Sequence, residues 1–500
     1  MKPLIDVCGI SAGVWLMLLA SGCSTVVNSH LQKEPMMAAY CGGRSDAALQ
    51  VVEERLDDSS WFDTSVVNTG DELVWRLEAG SLNFVMGRCR ESLEQFRLAE
   101  ALISDYDERA KISLRDVGAE TGSALTNPNA LPYRGWCRDR MALAVYKSLA
   151  YLGMGDEEAF RAQLRRLRNE QKKVQDEYRE FFEQQKAELD AAKRQDRSTV
   201  ERAEKSASEE QMTGDDRNTE FSSGLRDVRR IAHKGYGGFL NPLAIFLSGL
   251  GSVRDGNFDN ARIDFRRLYA AMPDNPLVRK YYVSALTRAG RPIPAKLQGE
   301  TPFDFPLDRD CVYVIAAHGR GAALRQISVY FPVMTAWPMC EFHDAPFTRI
   351  AAVAGGGEYE TLPIADMDGI LAQEFEERLP MMIVRIAVGT ALKEAAKYAA
   401  TYAAAQENEL FGAGVFLAAS LYTAAMNTAD TRCWESLPKE FLLTQFPVPA
   451  DRRVVVALTG RQGNLEQTVT LPDHCRSAIL FVNAPSPHNV AVQVLPFSSK

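Results

Sequence analysis

Apolar positions along residues 45–290 recur every three or four residues, which is the period of an amphipathic helix. Three stretches in this region each predict two helices joined by a short turn. They are "GSLNFVMGRCRESLEQFRLAEAL" from Gly80, "MALAVYKSLAYLGMGDEEAFRAQLRRL" from Met141 and "GLGSVRDGNFDNARIDFRRLYAAMPDNP" from Gly249. Each turn contains a glycine, which accepts the left-handed backbone conformation that reverses a chain. The region is therefore predicted to be an array of helix pairs.

The first and third stretches share a spacing of small and aromatic residues. The two sets are Gly80, Ser92, Phe96 and Ala99, and Gly249, Ala261, Phe265 and Leu268. A small residue on each helix lets two helices approach closely, and the aromatic residue one turn later fills the gap to the next pair. This spacing resembles the tetratricopeptide repeat (TPR). The resemblance implies a concave groove that binds a peptide or helix of another protein.

Residues 165–222 carry many charges of both signs. Leu167, Val174 and Phe181 fall at heptad spacing there, which predicts a long helix with a narrow apolar seam, as in a coiled coil. A helical hairpin whose second arm starts after Gln195 also fits the pattern. Such an arm could bind a partner or serve as a solvated spacer, and the pattern does not choose between them. The stretch "MTGDDRNTEFSSG" predicts a loop.

The period changes to two in residues 301–497. Runs that predict strands open this half and return after Pro438; they are "CVYVIAA", "LRQISVYFPV", "FTRIAAVAG", "FLLTQFPV", "RVVVALTG", "EQTVTL", "AILFVNA" and "VAVQVLPF". The residues His318 to Gly321 predict a turn after the first run. Helices are predicted between the two groups, at 366–379, 381–406 and 411–429. The last contains no charge, but its small and polar residues fit a helix buried among helices better than a membrane span.

These patterns predict an α+β protein. An N-terminal TPR-like array is followed by a mixed domain whose small sheet or sandwich is built from both ends of the C-terminal half. The predicted boundaries are 1–22 for a signal peptide, 23–44 for a linker, 45–300 for the helical domain and 301–500 for the mixed domain.

The first residues have the layout of a secretory signal: Lys2, an apolar run over 9–19, and small residues before Cys23. The sequence "LASGC" resembles the bacterial lipobox. That resemblance implies cleavage after Gly22, lipid on Cys23 and several acyl chains, which together give durable anchoring. By resemblance to Gram-negative lipoproteins, Ser24 after the cysteine implies the outer membrane. The alternatives are a signal anchor or an ordinary cleaved signal, although the apolar run is short for a bilayer span.

Composition narrows the classes of partner. The formal net charge is -8, and no Lys/Arg patch interleaved with aromatic residues stands out, so nucleic acid is not expected as a ligand. Removing Cys8 with the signal and Cys23 to lipid leaves seven cysteines. An odd number leaves at least one thiol unpaired within the chain, even in an oxidising compartment.

Several motifs together resemble a family of bacterial envelope lipoproteins with a TPR-like N-terminal half. They are "NPLAIFLSGL" with "NARIDFRRL", "CVYVI…GRG", "ADMDGILAQEFEERLP" and "TRCWESLPKEF". The resemblance is strongest from about Gly235 to Phe497. It implies an architecture and a cellular location, and it implies no activity.

Asp366 and Asp368 are the best candidates for chemistry. Two carboxylates this close in sequence can share a cation or divide acid and base roles. The simpler interpretation is a helix N-terminus, where Asp366 caps the helix and nearby acidic residues favour the positive end of its dipole. No histidine or cysteine spacing indicates a metal site, and no cofactor is expected.

The sequence therefore predicts a lipid-anchored, periplasm-facing interaction protein rather than an enzyme. Its partner would be an envelope protein, bound in the groove of the helical array. The candidate groove residues are Tyr146, Tyr151, Phe246, Arg254 and Arg262. Two alternatives stay open: a cell-wall hydrolase with Asp366 and Asp368 at its centre, and an oligomeric structural component.

Overall fold

A computed structural model describes residues 28–57, 65–115, 131–331, 333–407, 409–425, 427–473 and 475–497. The predicted signal peptide and the predicted lipidation site at Cys23 lie outside these residues. Within them the fold is α+β, as predicted.

Twelve helices precede the first strand in the described residues. They are α1 (Ser29–Cys41), α2 (Ser45–Leu56), α3 (Glu72–Val85), α4 (Cys89–Arg115), α5 (Cys137–Gly153), α6 (Glu157–Gln195), α7 (Arg197–Ser206), α8 (Glu209–Thr213), α9 (Thr219–Ala232), α10 (Pro242–Arg254), α11 (Phe258–Ala271) and α12 (Pro276–Arg288).

The three predicted helix pairs are confirmed as α3–α4, α5–α6 and α10–α11. Each turn has its glycine in the left-handed region, at Gly87, Gly155 and Gly256. A side chain at Gly249 would put its Cβ 2.6 Å from the Phe265 ring, so glycine is what lets α10 and α11 approach so closely. The Phe265 ring also reaches Tyr281 on α12 at 5.3 Å between centroids, filling the gap to the next helix.

The charged region folds as the predicted hairpin. Helix α6 ends at Gln195 and α7 returns along it, with Leu189 and Ala192 packed on Val200 and Ala203. Val388 of a later helix closes this small core. The apolar seam is therefore covered by the chain itself.

Two predicted irregular segments are wrong in part. Residues 29–41 of the expected linker form α1, because Asn28 caps the helix and Met36 and Tyr40 anchor it in the core. The expected loop contains the start of α9 at Thr219, because Phe221 packs edge-on against Trp337 and is fully buried. In both cases tertiary burial outweighs a polar local sequence.

The C-terminal half contains eleven strands in the described residues and two further helices. The strands are β1 (Cys311–Arg320), β2 (Ala323–Tyr330), β3 (Met334–Glu341), β4 (Phe347–Ala354), β5 (Gly357–Glu360), β6 (Leu362–Asp366), β7 (Pro438–Pro447), β8 (Arg453–Gly460), β9 (Gly463–Thr470), β10 (Ser477–Ser486) and β11 (Asn489–Phe497). The helices are α13 (Met367–Glu407) and α14 (Glu409–Ala425).

Strands from both ends of this half share sheets, as predicted. The central sheet has the order β11-β10-β1-β7-β6, with β1 parallel to β10 and its other pairs antiparallel. A second sheet has the order β5-β4-β8-β9, and β2 pairs only with β3. The expected turn at residues 318–321 is wrong up to Arg320, because β1 continues through that residue to pair with Pro438.

The central sheet lies between the helices and the second sheet. Because side chains alternate along β1, Tyr313 and Ile315 join the helical core while Val312 and Val314 face the second sheet. The chain changes from helices to strands between Arg288 and Cys311, close to the predicted boundary. One hydrophobic core nevertheless runs across that boundary.

Helices α13 and α14 differ from the sequence prediction. Two helices were expected around Pro380, but α13 is continuous through it. Leu379 and Ile383 are both buried on the face that packs on the body, which offsets the hydrogen bond that proline removes. The expected helix at 411–429 ends at Ala425, and residues 427–435 have no regular secondary structure. None of the helices in the described ranges is both long and apolar enough to cross a membrane.

Candidate functional site: a segment enclosed by the helices

Residues 431–437, with the sequence "TRCWESL", pass through the interior of the protein without regular structure. We call them the enclosed segment. All seven residues are at most 5% exposed. A buried backbone outside a helix or sheet must find its hydrogen-bond partners among side chains, so the surroundings of this segment are constrained.

The N-terminus of α5 holds the first half of the enclosed segment. The indole of Trp136 donates to the carbonyl of Arg432 at 3.1 Å, and the guanidinium of Arg138 donates to that of Trp434 at 3.0 Å. Asp139 accepts from the Trp434 amide at 3.3 Å. Three hydrogen bonds to the enclosed segment therefore come from residues 136–139.

Helices α1 and α3 hold the second half. Glu78 accepts from the amides of Glu435 and Ser436 at 2.7 and 3.1 Å. Lys33 donates to the carbonyl of Cys433. This is how a TPR-like array would bind an extended peptide, but here the peptide belongs to the same chain.

The side chain of Trp434 occupies the centre of the array. Its indole nitrogen lies 3.1 Å from the Ser81 hydroxyl and 3.0 Å from that of Ser436. Its ring lies 5.9 Å from Phe96 and 5.7 Å from Tyr146, between centroids. The space that a partner's side chain would fill is thus already taken.

Lys33, Glu78 and Glu435 form a fully buried charge cluster. The ammonium lies 3.6 Å from Glu78 and 3.2 Å from Glu435. Burial opposes its charge, but Glu435 and the other neighbours outweigh burial and raise the pKa of Lys33. Burial raises the pKa of Glu78, whereas for Glu435 the attraction of Lys33 and His30 exceeds the effect of burial and lowers the pKa. Lys33 and Glu435 are therefore the ionised pair of the cluster.

The cluster reaches towards solvent on one side. His30 bonds Glu435 at 3.1 Å and lies 3.5 Å from Glu341, which is 38% exposed. The guanidinium of Arg320 lies 3.6 Å from Glu435. Burial, together with Arg320, lowers the pKa of His343 at this edge to about 4. These side chains balance one another's charges rather than presenting a single sign to a ligand.

Asp366 and Asp368 serve the fold. Asp366 accepts from the Gly369 amide at 2.7 Å, which is the N-cap contact expected in the simpler interpretation, and lies 3.7 Å from Lys234. Asp368 accepts from the Ala322 amide and pairs with Lys439, both at 2.6 Å. Burial raises the pKa of both carboxyls, that of Asp366 to about 6.

The predicted groove residues are not brought together on a surface. Tyr146 and Phe246 are core residues, and the Arg254 guanidinium lies 3.8 Å from the Phe497 ring centroid, so these three predictions are wrong. Tyr151 is half-buried beside Arg97, and Arg262 pairs with Asp259. The apolar side of the array faces the sheet, which explains why the aromatic residues are inside.

The residues that sequence reasoning missed are Lys33, Glu78, Arg138 and Asp139. Glu78 lies in a mostly apolar helical stretch, "WRLEAGSLNF", whereas Lys33, Arg138 and Asp139 have charged neighbours in the sequence. A charge at a buried helical position was the available signal, since such charges must be paired.

A second feature is the apolar tip of the α13–α14 hairpin. The first part of α13 is buried against the body, whereas most of its residues from 398 to 406 are exposed. Four side chains there form what we call the hairpin patch: Tyr398, Tyr402, Phe416 and Leu417, between 40% and 69% exposed. The Tyr398 and Phe416 rings lie 6.3 Å apart across the two helices. The interpretation of 411–429 as a buried helix is therefore wrong.

The described residues contain no group of three or more histidine, cysteine or acidic side chains placed to hold a metal ion. All seven cysteines in the same residues are free thiols, six buried and Cys41 half-buried. Comparison of the chain with models of known families, with curated proteins and with solved structures found no match.

Proposed function

We propose that this protein is a lipid-anchored, periplasm-facing scaffold of the bacterial envelope that makes its contacts through the α13–α14 hairpin. Lipid on Cys23 would fix the protein at the outer membrane. The helical array and the sheet would form a rigid body that presents the hairpin. The resemblance to envelope lipoproteins and the "LASGC" motif support the location.

The enclosed segment occupies the groove of the helical array, which supports a contact surface elsewhere on the protein. The enclosed segment fills the position of a bound peptide and leads into β7, which lies between β1 and β6 in the central sheet. A competing peptide would have to remove β7 from the sheet, take Glu435 away from the buried Lys33, and deprive Glu78 of its two backbone amides. Both steps are costly, so a partner in the groove is disfavoured.

The observation that carries the proposal is the hairpin patch. Contiguous apolar side chains on the surface of a folded protein mark a site of contact with another apolar surface. Leu417 is 62% exposed, whereas Leu371, near the start of α13, is fully buried. The start of α13 thus belongs to the protein core, whereas the hairpin patch provides the contact surface.

The geometry gives the hydrolase alternative no support. Asp366 and Asp368 are each engaged by a backbone amide and lie near a lysine, which leaves neither placed as a free acid or base. The oligomeric alternative uses the same surface as the proposal and becomes an outcome of the tests below.

Site-specific photo-cross-linking in cells tests the proposal. A photoreactive residue replaces Leu417 on the hairpin, Leu98 on the outer surface of α4, or Leu465 on β9; all three side chains are exposed. We expect adducts from position 417 and not from 98 or 465. Adducts from position 98 alone would overturn the proposal in favour of the helical array.

Mass spectrometry of the N-terminal peptide tests the anchor separately. The expected result is a peptide that begins at Cys23 and carries the mass of a diacylglyceryl group and an additional acyl chain. An intact, unmodified N-terminus on cytosolic protein would overturn the envelope location.

A further inference from the structure

We propose that the hairpin patch lies in the interfacial layer of the bilayer that holds the lipid anchor. This rests on the proposed function and names the partner of the same surface. The occupant is the headgroup and upper acyl region of a phospholipid membrane, which the hairpin would touch with its flank rather than span.

The composition of the hairpin suits an interface. The sequence from Leu410 to Ala429 contains no charged residue. Tyr398 and Tyr402 are one turn apart on α13, so their rings leave the same side of the helix. Tyrosine combines an apolar ring with a polar tip and is favoured where one end is apolar and the other wet. Phe416 and Leu417 supply the purely apolar part of the patch.

The start of the described chain lies at the base of this hairpin. The Asn28 side chain bonds the Thr431 hydroxyl at 2.8 Å, and the His30 amide lies 3.3 Å from the same hydroxyl. Thr431 follows the end of α14 by six positions in the sequence. The chain that leads back to Cys23 therefore leaves the protein beside the base of α14.

The tether is short enough to bring the patch to the membrane. Four residues lie between Cys23 and Asn28, and the five Cα–Cα steps from one to the other span at most about 18 Å. Helix α14 has 17 residues, which corresponds to a length of about 25 Å. A lipid on Cys23 would thus hold the bilayer within reach of the flank of α14. Since the tether makes the contact intramolecular, even a small apolar surface would stay bound.

Two features indicate how the hairpin is oriented relative to the membrane. It is not long and apolar enough to span a membrane within the residues the structure describes. The sequence has glutamates at 407 and 409, where the two helices meet, and charges are costly inside hydrocarbon. A hairpin that lies parallel to the membrane surface keeps the end where its two helices meet in contact with water.

A tethered-vesicle experiment tests the inference without cellular lipidation. The chain from Ser24 to Lys500, which contains all the described residues, carries a histidine tag before Ser24. It is held on phosphatidylethanolamine/phosphatidylglycerol vesicles through a nickel-chelating lipid. An environment-sensitive dye is attached to Leu417→Cys, Leu98→Cys or Leu465→Cys in a Cys41→Ser background, because the other six cysteines are buried. We expect at least a twofold rise in emission at 417 on tethering, and no rise at 98 or 465.

A second variant guards against a dye artefact. Tyr402→Ser combined with Phe416→Ser should reduce the emission rise at position 417 at least fivefold. The control substitution Leu98→Ser should leave that rise unchanged. Circular dichroism would show that both variants are folded. An equal response at 417 and 98, or no response at 417, would overturn the inference.

Other outcomes separate the inference from the proposed function. A dye response at 417 before vesicles are added, with dimers in light scattering, would replace the bilayer with a second copy of the chain. Protein adducts from position 417 in cells, without a vesicle response, would reject the bilayer and keep the scaffold. An unlipidated Cys23 in cells would reject the anchor whatever the vesicles show.

Discussion

Thirteen residues separate Leu417 of the hairpin patch from the enclosed segment, and the burial of the two regions is the reverse of what their polarity predicts. The segment contains Arg432 and Glu435 and is buried, while the patch contains Phe416 and Leu417 and is exposed. The first is permitted because Arg432 pairs with Asp71 and Asp430, and Glu435 pairs with Lys33. The second has no stabilising role in the folded chain that would explain it. Polar residues inside therefore indicate architecture here, and apolar residues outside indicate contact.

The largest expected effect is at Lys33. Lys33→Met removes the ammonium that lies 3.6 Å from Glu78 and 3.2 Å from Glu435, and leaves both carboxyl groups buried. Breaking a buried ion pair from one side costs about 3 to 5 kcal/mol, so we expect a loss of that size in the free energy of unfolding. Urea denaturation followed by circular dichroism measures it.

Lys173→Met is the matched control, since that ammonium is 56% exposed and lies 3.5 Å from Glu177. Its loss should cost at most about 1 kcal/mol, as for other surface pairs. Equal effects of the two substitutions would show that the charge cluster is solvated.

This buried charge cluster shows where sequence reasoning stops. Lys33 and Cys433 are 400 residues apart, so nothing local relates them. The helix pairs around Gly80 and Gly249 could be predicted because the spacing of small and aromatic residues is a property of one short stretch. Similarly, the alternation of side chains predicted β1. It did not predict that one face of this strand packs against helices and the other against the second sheet.

The second prediction compares two leucines on the hairpin. Leu371→Ala, at the buried start of α13, removes packed methyl groups and leaves a cavity, so we expect a loss of about 2 to 5 kcal/mol. Leu417→Ala, in the hairpin patch, should change stability by no more than about 0.5 kcal/mol. Thermal and urea unfolding of both variants would show the contrast. A large loss at Leu417 would mean that the patch is part of the core.

Asp366 provides the third prediction through its pKa of about 6, which is raised mainly by burial and further by Asp368 and Glu440, against Lys234. The folded protein binds this proton more tightly than the unfolded chain, whose Asp titrates near 4. Its contribution is therefore fully present at low pH and is lost as the pH rises from about 4 through about 6.

Asp366→Asn keeps the cap on Gly369 and removes the titration. We expect it to be more stable than the parent at pH 7.5, by about 2 kcal/mol, with the difference shrinking at pH 4.5. Urea midpoints at the two pH values give the comparison. A variant that is less stable at pH 7.5 would show that the ion pair with Lys234 dominates.

The continuous helix through Pro380 and the helical start at Thr219 could not be predicted for a shared reason. Their local sequences favour a break or a loop, and burial of Leu379 and Phe221 decides otherwise. The candidate groove residues failed for a related reason: periodicity shows which side of a helix is apolar, but not whether a partner or the chain's own sheet will cover it. Tyr146 and Phe246 are on the correct side and are covered by this chain.

The smallest expected effects on stability come from replacing each of two helical glycines with alanine. Gly414→Ala, in α14, places its Cβ where no atom lies within 4 Å, so the gain in helix propensity should stabilise the protein by up to about 1 kcal/mol. Gly80→Ala, in α3, forces a methyl into the Phe96 ring, and the cost of overpacking, about 1 to 3 kcal/mol, should exceed the same gain. The two variants should therefore shift the urea midpoint in opposite directions. The same sign for both would mean either that α3 and α4 are less tightly packed around Trp434 than the structure indicates, or that the hairpin tip is covered when the protein is free in solution.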